Sequence, residues 1–269
     1  MGRVVFIGAG PGAADLITLR GARCLAEADV VLCDALADPA LRKLSPQARW
    51  IDVGKRGFTG MRGPRRGADA RDYQSTGQAA INALLVGHAQ ESQLVVRLKG
   101  GDPSIFGRLE EELGALARAG IACEIIPGVT AALAAAAATQ RPLTRRGSGR
   151  SVSLTTAMTQ EGTLHASRTA DTEVYYMAGK QLAALARRLL ASGWPADTSV
   201  SVVSRAGWSD QLHSDHVLAQ LAAAAMLHAG RPTVVTVGAG AVALMRPAPA
   251  SASTLCCEAD TLQGRGLLP

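Results

Sequence analysis

The chain has 269 residues, 48% of them hydrophobic and 19% charged, and 28 Lys and Arg against 22 Asp and Glu give a formal charge of +6. That is ordinary globular material, long enough to bury a core without disulfides or a structural metal, and no apolar run reaches the ~20 residues that span a bilayer. The five cysteines (Cys24, Cys33, Cys123, Cys256 and Cys257) form no CxxC pair, which points away from a secreted disulfide scaffold or zinc module.

A strand is expected over 4–7, so no signal peptide is expected before it, and a reducing cytoplasm is the expected location. Gly8-Ala9-Gly10-Pro11-Gly12 follows that strand and precedes a helix over 16–28. A dinucleotide fingerprint would need its third glycine where Ala13 stands, and Pro11 stiffens the turn, so the segment reads as a tight loop lining a cleft. Strands follow over 30–33 and 50–53, ending at Asp34 and at Gly54-Lys55. Arg56 after Lys55 rules out a P-loop. In a parallel sheet Asp34 and Lys55 open onto one rim, although a capping aspartate and a solvated lysine would account for them as well.

The stretch 57–76 carries Arg62, Arg65, Arg66 and Arg71 against Asp69 and Asp72 and reads as a solvated loop. Next come a helix over 75–88 and a buried strand over 94–99, which breaks into Gly100-Gly101-Asp102-Pro103. Glycines at the carboxyl end of a strand let backbone lie against a ligand. A helix over 109–119 stops at Gly120, a strand covers 123–126, and a helix of small residues covers 129–138. This alternation predicts a mostly parallel sheet covered on both faces.

The basic, turn-rich 141–150 reads as a linker between an α/β domain over 1–140 and a smaller one over 150–246. The second unit is expected to hold strands over 151–155, 173–177, 199–204 and 232–237, with helices over 180–191 and 215–227. His213 and His216 lack a third ligand of fitting spacing and read as surface histidines, so no metal is expected. From Pro247 the composition turns to Pro, Ala and Ser, and 247–269 is expected to be a disordered tail.

The string GGDPSIFGRLEEE at 100–112 resembles the GGDPFIFGRGGEE of uroporphyrinogen-III C-methyltransferases, in the tetrapyrrole methylase family. Other matches run in family order: VFIGAGPG at 5–12, ADVVLCDAL at 28–36, VGKR at 53–56, IPGVTAA at 126–132, RPLT at 141–144 and YMA at 176–178. The resemblance implies two α/β domains with an S-adenosyl-L-methionine cleft between them. It places Pro11, Gly100, Gly101, Asp102, Ile105, Thr130, Ala131, Met177 and Ala206 around that cofactor. Asp34 would be the proton acceptor and Lys55 the proton donor. The implied reaction methylates uroporphyrinogen III at C2 and C7, giving precorrin-2 for sirohaem, cobalamin or haem d1. A homodimer is implied, with no membrane or nucleic-acid partner.

The chain departs from the family pattern at Ser104, Leu109, Glu110, Gln140 and Thr156, and in the length of 57–76, whose arginines could meet the carboxylates of a tetrapyrrole. These departures leave room for another precorrin methyltransferase, an RNA-modifying relative of the same fold, or an inactive carrier. The scarcity of aromatics, 3% of the chain, weighs against RNA.

Overall fold

Five short runs rich in valine, isoleucine and leucine form one sheet. The computed structural model describes residues 2–54, 77–158 and 164–244; Lys55, the stretch 57–76 and the tail 247–269 lie outside the described residues. The strands are β1 (Arg3–Gly8), β2 (Val30–Cys33), β3 (Arg49–Asp52), β4 (Leu94–Lys99) and β5 (Cys123–Ile126). All pair in parallel, in the order β3-β2-β4-β1-β5. Every residue of β4 and all but the first of β1 are buried, as expected of a parallel sheet covered on both sides.

Successive side chains leave a strand on opposite faces. Val5, Ile7, Val31 and Leu98 pack with Leu25 of α1 (Leu19–Ala26) on one face. Val4, Phe6, Leu32 and Val95 pack on the other with Ile81 and Leu85 of α2 (Gln78–Glu91) and Leu116 of α3 (Leu109–Arg118). The connection after β1 therefore runs over one face toward β2, and that after β4 runs over the other toward β5. Adjacent strands whose connections diverge leave a crevice at their carboxyl ends. Here the crevice is framed by the loops at 8–13 and 100–108.

The second sheet has the order β6-β7-β10-β8-β9. Its strands are β6 (Val152–Thr156), β7 (Thr172–Tyr176), β8 (Ser199–Ser204), β9 (Leu212–Val217) and β10 (Thr233–Gly238), and only β6 and β7 pair in parallel. Tyr175, Val200, Val202 and Val235 form a core with α5 (Leu182–Ala191) on one face. Val174, Tyr176, Val203 and Val234 on the other face pack on Ala132, Ala134 and Ala135 of α4 (Ala131–Ala138). Alanines bring the helix close, so this cluster joins the second sheet to α4 and to Ile105 in the loop after β4.

One expectation is corrected. The helix over 215–227 is instead the end of β9, a 3-10 turn at Leu218–Ala223 and a short α6 (Ala224–Leu227). Leu212–Val217 alternates half-buried with exposed residues and pairs along its length with β8, which outweighs the local helix preference of its alanine-rich continuation. His213 is exposed on β9, in keeping with a surface histidine, and its ring nitrogen lies 2.9 Å from Arg141 and 3.1 Å from Ser201.

Candidate active site

Three glycines allow three loops to meet at the crevice. A Cβ on Gly8 would lie 2.5 Å from the Cα of Gly128, and one on Gly128 would lie 2.4 Å from the carbonyl oxygen of Gly101. No side chain fits at either position without moving backbone. Gly101 donates its N–H to the Gly10 carbonyl at 2.7 Å and accepts the Gly10 N–H at 3.3 Å. Among the described residues a Cβ on Gly101 would find only the Thr130 Cα, 3.9 Å away, so this strand end presents bare backbone. Asp102 ties the loops together: its Oδ1 accepts the Ser104 N–H at 2.8 Å and its Oδ2 the Gly128 N–H at 2.9 Å.

The second sheet closes the crevice from the other side. The Tyr176 hydroxyl, at the carboxyl end of β7, lies 2.8 Å from the Thr130 hydroxyl and 3.4 Å from the Ala132 N–H. Burial pushes the Tyr176 phenol above its ordinary range, so it remains a neutral hydrogen-bonding group. Phe106 tilts against its ring at 5.0 Å. Ile105, Ala131, Met177 and Ala206 belong to the same apolar cluster. Beyond Ala206, Gly207 accepts the Ala13 N–H at 2.7 Å, and the Trp208 indole N–H donates to the Pro11 carbonyl at 3.0 Å.

The structure thus brings Pro11, Gly100, Gly101, Asp102, Ile105, Thr130, Ala131, Met177 and Ala206 to a single seam between the two sheets. Phe106, Arg108, Met177 and Arg205, all bordering it, hold positive φ of 51°, 54°, 57° and 52° without being glycine. Such backbone costs of order 1 kcal/mol per residue and collects at functional sites.

Asp34 follows β2 on the same rim. Its N–H bonds to the Leu98 carbonyl at 3.1 Å, and the turn after it brings the Leu36 Cβ to 3.0 Å from where a Gly100 Cβ would stand. The Asp34 carboxylate is 14% exposed, and Oδ1 accepts a 2.6 Å hydrogen bond from Arg97. Arg97 also reaches Glu112, which Lys99 holds from the other side. Burial, then the Arg97 charge, lower the Lys99 ammonium from its ordinary range against the pull of Glu112. Lys55, expected beside Asp34, lies outside the described residues.

The sequence reading passed over Tyr176, Trp208, Arg97 and Glu112. Arg97 carries a usable signal, because a charge two residues from Lys99 on an otherwise apolar strand demands a buried acid on that face. Ser104, Leu109 and Glu110, three departures from the family pattern, line one hollow of about 660 Å³ on the outer side of the 100–108 loop. Among the described residues no three His, Cys, Asp or Glu gather as a metal site, and no helix is long and apolar enough to cross a membrane.

Comparison with known proteins identifies the family. The tetrapyrrole (corrin/porphyrin) methylases match residues 3–222. The uroporphyrinogen-III C-methyltransferase of Pseudomonas aeruginosa is 41% identical over 246 residues, covering 88% of this chain and 93% of that one. Among solved structures, the uroporphyrin-III C-methyltransferase of Thermus thermophilus, complexed with S-adenosylhomocysteine, superposes with a TM-score of 0.73 at 32% identity, covering 88% of this chain and 97% of that one. A cobalt precorrin-4 methyltransferase also gives 0.73, at 27% identity and 88% and 94% coverage. With the match running from the first strand into the second sheet, the chain belongs to the tetrapyrrole methylases.

Proposed function

We propose that this chain is an S-adenosylmethionine-dependent C-methyltransferase that methylates uroporphyrinogen III at C2 and C7 to give precorrin-2. The observation that carries this reading is the seam itself, where bare glycine backbone, a braced acid and an apolar wall converge at the carboxyl ends of the first sheet and of β7 and β8. These residues fit the cofactor: carbonyl oxygens suit a sulfonium cation, and the open side of Gly101 leaves room that a Cβ would fill. When bound, S-adenosylmethionine supplies an electrophilic methyl group.

The chain's own part is alignment and proton handling. Gly100 and Gly101 offer backbone to the methionine end, Ile105 and Met177 exclude water, and the Pro11 loop with Ala206 closes the other side. Each methyl gained by a pyrrole carbon releases one proton from the ring system. Asp34, partly exposed at the rim, accepts it, while Lys55 gives a proton to one ring position and regains one from another, so that each methyl gained still costs the macrocycle one proton. Residues 1–140 and 150–246 act as the two domains of a cytoplasmic homodimer, with the product passing to sirohaem, cobalamin or haem d1 formation.

The equal structural likeness to the precorrin-4 enzyme supports a second reading, methylation of a precorrin. The higher identity to the uroporphyrinogen-III enzymes favours the first. Incubation of the purified protein with S-adenosylmethionine and each tetrapyrrole, read by mass spectrometry, decides. A product from uroporphyrinogen III heavier by two methyl groups is expected, and turnover of a precorrin alone overturns the first reading.

A further inference from the structure

Beneath the seam lies a set of charges that the fold of the sheet does not call for. Arg97 and Lys99 leave β4 on the same face and are 0% and 1% exposed, and Glu112 on α3 is 0% exposed. The Arg97 guanidinium meets four acceptors at once: Glu112 Oε1 at 3.1 Å through Nε, the Leu32 and Leu98 carbonyls at 3.3 and 3.2 Å through Nη1, and Asp34 Oδ1 at 2.6 Å through Nη2. Glu112 is itself held by Lys99 Nζ at 2.6 Å through its second oxygen. Buried ion pairs of this kind add little net stability compared with apolar side chains of the same volume. What they do provide is geometry, because a planar five-donor fork fixes direction at every partner.

We propose that Arg97 is a positioning residue for Asp34. It pins Oδ1 inside the protein and so leaves Oδ2, which accepts no hydrogen bond among the described residues, as the oxygen turned to the position of the ring system that gives up its proton when a neighbouring carbon is methylated. Glu112 and Lys99 hold the fork in register. This inference rests on the reading of Asp34 as the proton acceptor, and the two stand or fall by different measurements.

The experiment compares Arg97→Lys, Arg97→Gln and Asp34→Asn in the full-length protein with uroporphyrinogen III and S-adenosylmethionine. A lysine can reach Asp34 or Glu112 but cannot span both, so Arg97→Lys should lower kcat by at least about tenfold, and Arg97→Gln by more. Both KM values and the Kd for S-adenosylhomocysteine should stay within about twofold of the parent, a split that a merely loosened fold would not give. Arg97→Gln added to Asp34→Asn should cost nothing further, since both remove the same oxygen's function.

If Asp34→Asn keeps full kcat, the base reading fails and this proposal with it. If Asp34→Asn is inactive while Arg97→Lys turns over at the parental rate, only the positioning role fails. Should both Arg97 variants fail to fold, the melting of Asp34→Asn decides. Loss of a working pair lowers Tm by at least about 2 °C, and an unchanged Tm overturns the proposal.

Discussion

Trp208 donates its indole N–H to the carbonyl oxygen of Pro11, 3.0 Å away and 197 residues earlier in the chain. With the Ala13 N–H to Gly207 bond beside it, this contact latches the turn after β8 onto the loop after β1. Arg205 lies 4.3 Å over the Trp208 ring and pairs with Asp210, so the indole is held from its own side too. Trp208→Phe keeps an aromatic ring at this position and removes the donor. A net hydrogen bond contributes about 0.5–1.5 kcal/mol, so the Kd for S-adenosylhomocysteine should rise roughly three- to tenfold by calorimetry. Unchanged binding would show that the latch does not shape the cleft.

Asp102 is expected to matter first as a brace. Replacing it by asparagine puts an NH2 group against one of two N–H donors, Ser104 or Gly128. The cost should be about 1–3 kcal/mol, visible as a lower urea midpoint with unchanged slope. Binding of S-adenosylhomocysteine should weaken in parallel, because the braced loops are those of the seam.

Gly128→Ala offers a steric test of the loop junction. The new Cβ would stand 2.4 Å from the Gly101 carbonyl oxygen and 2.7 Å from the Gly8 Cα, both backbone. Overpacking of this type costs roughly 1–3 kcal/mol. Thermal unfolding should register that loss together with lost cofactor affinity. Gly87→Ala, where a Cβ meets nothing within 4 Å, serves as the control.

Acid should weaken the second sheet through His228. This ring is buried between the Ser204 and Ser214 hydroxyls at 2.6 and 2.8 Å, and burial, with His216, Arg231 and His213 nearby, pushes it down to about 4. The folded state therefore favours the neutral ring, while the unfolded chain takes up the proton near its ordinary 6.5. The contribution is complete above pH 6.5 and declines as pH falls from 6.5 toward 4, by roughly 3 kcal/mol at most. Urea midpoints at pH 7.5 and 5 should diverge in the parent protein and converge in His228→Gln. Equal divergence in both would assign the effect elsewhere.

Much of the first sheet was legible in the residues, because its strands are short apolar runs punctuated by Gly, Asp and Pro, and local chemistry suffices to place them. The rim residues were legible for the same reason: Gly100-Gly101-Asp102 and Asp34 each end such a run. β9 was not, since Leu212–Val217 has the polar alternation of an edge strand and leads into alanine-rich sequence, and only pairing with β8 settles its form. Arg97 shows the same division. The sequence alone determined that a charge stands inside a buried strand, and hence that an acid must lie near. That the acids are Asp34, 63 residues before it, and Glu112, 15 after, was decided by strand order and by the face on which α3 packs. Side-chain alternation and turn chemistry are local and can be read along a chain, whereas which rims and faces coincide depends on long-range pairing.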